Sequence, residues 1–125
     1  MTDSDLDPRM DPMRPDSGAL LAALAQAEAE GDLAAQNVLL GQLGRAHLDE
    51  AETLLALARF EQGLKIAQQL DDKESGARHL ANQGIALTQI GNYALAMRAF
   101  RKAYGFVKEL EHAPMQYDLL MHLAE

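Results

Sequence analysis

Shifted by 40 residues, the chain overlays on itself. Leu40, Gly44, Ala46, Leu55, Ala56, Phe60 and Leu70 recur as Leu80, Gly84, Ala86, Leu95, Ala96, Phe100 and Leu110. Every one of these positions is apolar or small, the residue class that interfaces between packed helices require. A further step carries Leu80 to Leu120 and Gly84 to Ala124. A step back from Phe60, Gly63 and Ala67 meets Leu20, Ala23 and Ala27. A fixed period of this length means that each unit is one supersecondary element, which buries its apolar face against its neighbours rather than within itself.

The unit is helical. Alanine and leucine dominate, aromatic residues make up 5% of the chain and there is no Trp, a mixture that favours helix over strand. No segment alternates apolar and polar residues with period two, so no strand is expected. Ser17 serves as an N-cap for a helix over 19–30 that ends at Gly31. Asp32 caps the next, with Val38, Leu39, Leu40, Leu43 and Ala46 on its apolar stripe. Asp49 with Glu52, and Asp71 with Glu74, read as capping boxes opening a third helix to about Leu70 and a fourth through Ile90. Gly91-Asn92 breaks the chain before a fifth helix over about 93–110. Pro114 suits the first turn of a sixth. Residues 1–18 hold three of the four prolines and five aspartates, and are read as a disordered acidic tail.

The run from Leu80 to Ala103 resembles the tetratricopeptide-repeat motif. Leu80, Gly84 and Leu87 occupy its large, small and large places on the first helix. Gly91-Asn92-Tyr93 forms its turn, and Ala96, Phe100 and Ala103 its small-aromatic-small second helix. Leu40, Gly44, Ala56 and Phe60 fit the preceding unit, where His47, Ala51 and Thr53 replace the large residue, the turn glycine and the tyrosine. Ala51 disfavours a positive φ, so a differently built turn is expected there. The resemblance implies an all-α, right-handed helix-turn-helix solenoid of about six helices. Its units are a half repeat over 19–31, repeats over 32–71 and 72–111, and a half repeat over 112–125. Period 40 exceeds the usual 34 of this family, as in long-repeat cell-polarity adaptors and bacterial peptide-sensing regulators.

Charge narrows the partners. A net charge of −8 repels phosphate backbones and anionic lipid surfaces, so neither nucleic acid nor membrane is expected. No apolar run is long enough to span a bilayer, and the N-terminus carries no secretory signal pattern. The absence of cysteine excludes disulfides and thiolate metal sites and accords with a cytoplasmic setting. No phosphate-binding loop, dinucleotide fingerprint, zinc-protease motif or nucleophile elbow is present, so no enzyme, cofactor or metal is expected. His47, His79, His112 and His122 read as surface or helix-terminal histidines. Gly41-Gln-Leu-Gly44 reads as helix packing rather than a nucleic-acid clamp.

Function then falls to the concave face lined by the first helix of each pair. The inward candidates are Val38, Gly41, Gln42, Arg45 and Leu48, then Arg78, Ala81, Asn82, Ile85 and Gln89, then Asp118, Met121, His122 and Glu125. Gln42, Asn82 and His122 are equivalent across the period and offer amide-type donors and acceptors to an extended peptide. Arg45 and Arg78 add positive charge suited to a carboxylate. The expected function is a scaffold that binds a protein or peptide. Two other readings are a self-assembling unit that joins copies as a homodimer through open ends, and the sensor part of a longer bacterial-type regulator.

Overall fold

A computed structural model describes residues 16–108 and 110 of the 125. The described residues form five α-helices and no strand: α1 (Ser17–Ala29), α2 (Leu33–Asp49), α3 (Thr53–Gln69), α4 (Lys73–Gln89) and α5 (Tyr93–Val107). Each helix packs against the next, and α2 also touches α4. The sixth helix expected after Pro114, and most of the acidic tail, lie outside the described residues. No described helix is long and apolar enough to cross a membrane.

Four turns recur every 20 residues, half the sequence period. Gly31, Ala51, Asp71 and Gly91 all take positive φ, at 66°, 61°, 54° and 80°. Each turn closes with the same pair of backbone bonds. The amide of the positive-φ residue donates three residues back, and the next amide donates five back, as in Asp32 to Ala27 and Asn92 to Leu87, both 2.9 Å. This is the Schellman closure, and it satisfies the carbonyls that a helix end leaves bare. The residue after the positive-φ position is also the N-cap of the following helix. Asp32, Asp72 and Asn92 each accept from the backbone N three residues on, at 3.0, 3.1 and 3.3 Å.

This arrangement corrects several boundaries. Asp16, not Ser17, caps α1, accepting from the Ala19 amide at 2.7 Å. Asp49 ends α2 instead of opening α3, and Asp71 takes the left-handed position while Asp72 does the capping. Ala51 adopts the positive φ that it was expected to avoid, because the closing bonds to Leu48 and His47 leave no other path.

Between helices, small residues admit large ones. A β-carbon on Gly84 would lie 2.6 Å from Phe100 Cε1, and one on Gly44 would collide with Phe60 in the same way. The 40-residue echo is therefore a repeated physical joint: glycine on the first helix of a pair, an aromatic ring seated on it from the second. Leu80, Ala96, Phe100 and Ala103 form one buried cluster with Ala77 and Val107, with Leu87 packed partly buried against it. Leu40 joins Leu20, Leu24, Leu43 and Ala46, and Ala56 and Phe60 join Leu48 and Ala86. Gly91 is in the turn and Tyr93 opens α5 at 65% exposure, so the tyrosine is not buried with the rest of the motif.

Candidate functional site

Two open surfaces are built by these helices. In the first, Val38, Gly41, Gln42 and Arg45 of α2 face Ser75, Arg78 and Asn82 of α4 across a cavity of about 260 Å³, floored by Asn37 and His79. Period and pitch explain the meeting. Gln42 and Asn82 are 40 apart, and 38, 41, 42 and 45 share one side of a helix, as do 75, 78, 79 and 82. Arg45 Nη1 donates to Asn82 Oδ1 at 3.4 Å. Arg78 Nη2 donates to Glu74 Oε1 at 2.6 Å, and Ser75 Oγ to Asp72 Oδ2 at 2.8 Å. Arg45, bonded to a neutral amide, puts positive charge on this face of an acidic chain, while Arg78 is ion-paired with Glu74.

The floor was not legible as part of the site. His79 is buried and its Nε2 shares a 2.7 Å hydrogen bond with Asn37 Oδ1. Its ring fills the space left by Gly63 of α3 and lies 3.4 Å from where a Gly41 β-carbon would stand. Burial holds the imidazole below its ordinary value of 6.5, against a smaller opposing pull from Asp72. His79 is thus a core histidine that ties three helices together, not a surface one. Asn37 and His79 are 42 residues apart, so a 40-residue shift does not align them. The available signal was a polar residue on each apolar stripe. Gly41 and Gly44 are both packing glycines, the first against His79 and the second against Phe60.

The structure brings Gln42, Arg45, Arg78 and Asn82 together and separates Gln89 from them. Gln89 lies on a second, apolar groove of about 450 Å³ with Ile85, Thr88, Tyr93, Ala96, Met97 and Phe100. Leu48 turns away from the first groove into the core with Ala56, Phe60 and Ala86, and Ala81 and Ile85 are packed against buried clusters. The cavity is therefore lined from α2 by Asn37, Val38, Gly41, Gln42 and Arg45 and from α4 by Ser75, Arg78, His79 and Asn82, without Leu48, Ala81 or Ile85. Asp118, Met121, His122 and Glu125 lie outside the described residues, as does His112.

A third feature sits in the turn between α2 and α3. His47 is 5% exposed, and its Nδ1 is 3.3 Å from Glu52 Oε1. Hydrogen bonding to Glu50, then to His47, holds the Glu52 carboxyl below its ordinary 4.5. Glu52 occupies the N-cap position of α3 yet makes no side-chain cap bond. No protein-family model matches this sequence, and no curated protein matches it significantly.

Proposed function

We propose that this chain is a tetratricopeptide-like, right-handed helical solenoid that acts by binding an extended segment of another protein rather than by catalysis. The observation that carries this reading is the convergence of Gln42 and Asn82, equivalent across the 40-residue period, with Arg45 and Arg78 on one open face between α2 and α4. Carboxamides can donate to and accept from a peptide backbone at once. Two arginines beside them favour a ligand carboxylate, either an acidic side chain or a chain terminus. The setting is cytoplasmic under this reading, and no cofactor is required.

The test is selection from a peptide library displayed with free C-termini, followed by affinity measurement on the full chain. Selected peptides should lose at least tenfold in affinity against a Gln42→Ala/Asn82→Ala variant, and similarly against Arg45→Ala. Unchanged affinity in both variants, with wild-type helicity, would remove the groove as the binding face.

A second reading rests on the apolar groove at Thr88–Phe100 and the exposed Ile90, Tyr93 and Leu95 beside it. In the preceding unit the matching face, with Ala56 and Phe60, is covered by Ile85 and Ala86 of α4. The half repeat expected over 112–125, a second copy, or a further repeat in a longer chain such as a sensor-type regulator would cover it in the same way.

A further inference from the structure

Helix α5 carries a charge pattern that no other described helix shares. Arg98, Arg101 and Lys102, with Lys108 at its C-cap, make up four of the chain's 11 lysines and arginines, and the helix contains no Asp or Glu. All four are exposed, on the side of the helix away from the buried Ala96, Ala99, Phe100, Ala103 and Val107. The repeat does not require them. Forty residues earlier the same places hold Ala58, Glu61, Gln62 and Gln68. Among the described residues, lysine and arginine ion pairs join Lys65 to Glu61 and Arg78 to Glu74, and neither involves α5. None of the four lines either of the two grooves described above. On a chain of net charge −8, this stripe has a local field opposite in sign to that of the whole.

We propose that this stripe docks the acidic N-terminal segment of the same chain through Asp3, Asp5 and Asp7. The three aspartates alternate along the sequence, so in an extended backbone they fall on one side, roughly 6.6 Å apart. Along α5, Arg98 and Lys102 stand one above the other, about 6 Å apart, with Lys108 about 9 Å further along the axis. The segment is long enough to arrive there. α1 and α3 wall a common cavity, and Leu64 of α3 and Phe106 of α5 both stand against Gly76. α1 and α5 are therefore two helix spacings apart, roughly 20 Å. The nine residues from Asp7 to Asp16 span about 30 Å when extended. Tethering supplies the segment at an effective concentration of about millimolar, so ion pairs that are individually weak at an exposed surface act together. Nucleic acid and anionic lipid surfaces are extended polyanions that meet the repulsive field of the whole chain, whereas a short tethered segment meets the stripe alone.

The experiment places a nitroxide on Thr2→Cys, a unique thiol because the chain has no cysteine, and reads paramagnetic broadening of amide signals in the isotope-labelled full chain at low protein concentration. In dilute buffer the amides from Arg98 to Lys108 should lose about half of their intensity or more. They should regain it in about 0.5 M salt, where charges are screened beyond a few ångströms. Arg98→Gln/Arg101→Gln/Lys102→Gln should abolish the broadening, and so should Asp3→Asn/Asp5→Asn/Asp7→Asn; the first set is exposed and the second precedes the first helix, so both leave the helical core intact. A mixture of nitroxide-bearing chains without isotope and isotope-labelled chains without nitroxide should show none. No broadening of α5 in dilute buffer, broadening centred on Arg45 and Arg78 instead, or broadening that survives either set of substitutions would overturn the proposal. Equal broadening in the mixture would overturn it too, by assigning the segment to a second copy.

Discussion

Gly84 and Gly44 each stand where a β-carbon would strike a phenylalanine ring sixteen residues further on, Phe100 and Phe60. Both rings are almost fully buried. Gly84→Leu should therefore destabilise by at least about 1–3 kcal/mol through overpacking, and Phe100→Ala by about 3–5 kcal/mol through the cavity it leaves. Denaturant melts of the two variants read both values; a Gly84→Leu protein that melts with the wild type would contradict the close approach. His79 makes a prediction of opposite character, in pH. Its folded-state pKa is depressed below 6.5 by burial, so the unfolded chain takes up the proton first. Stability is full above about pH 6.5 and falls as pH drops from there towards the depressed value. Asp72, whose pKa is also lowered, chiefly by the Ser75 backbone hydrogen bond, loses its contribution only in more acidic solution. Chemical denaturation between pH 5 and 8 (a range that brackets the ordinary histidine value) should show this slope in the wild type and lose it in His79→Leu.

At the scale of the element, the turns carry the information. One residue in each must sit in the left-handed region, and glycine does so without a β-carbon penalty. Nature supplies glycine at 31 and 91 but alanine at 51. An L-residue there costs roughly 1–2 kcal/mol, partly offset by the lower entropy of its unfolded chain. Ala51→Gly should consequently raise stability by about 0.5–1 kcal/mol, while Gly91→Ala should lower it by a similar amount. The same melts decide both, and a loss of stability in Ala51→Gly would mean that the turn is held by something other than its backbone. Removing a cap gives a further element-level effect. Asp72→Ala deprives the Ser75 amide of its acceptor and should cost about 1 kcal/mol. Glu52→Ala removes no cap bond and should cost less.

For the whole molecule, the question is what meets the apolar groove that the described residues leave at the α4–α5 end. Burying leucine-sized groups contributes roughly 1.5–3 kcal/mol each. The net charge of −8 opposes a second copy, but exposed charge is screened beyond about 8 Å in physiological salt. Self-association through this end is the expected outcome for the isolated chain. Sedimentation equilibrium over a concentration series should show a mass rising above that of the monomer, and Met97→Glu in the groove should return it to monomer. A constant monomer mass at every concentration would leave the groove to a different partner.

Helix type and the glycine–aromatic joints were legible because they depend on local propensity and on residue volumes that repeat at a fixed spacing. Leu40, Gly44, Phe60, Leu80, Gly84 and Phe100 are all buried where the 40-residue echo places an interface, whereas Leu55, Leu70 and Leu95, which the echo also places there, are exposed. Gln42, Arg45, Arg78 and Asn82 were legible as one face for the same reason. The 20-residue recurrence of the turns was hidden, because backbone closure accepts Gly, Ala or Asp at the left-handed position and so leaves no shared letter in the sequence. The buried polar groups were hidden more deeply. His79 finds Asn37 on α2 and a glycine on α3, and His47 finds two glutamates across a turn. Whether a histidine faces solvent, a hydrogen-bond partner or a pair of carboxylates depends on which helix faces come into contact, and that is settled by how five helices pack, not by the spacing of residues along any one of them.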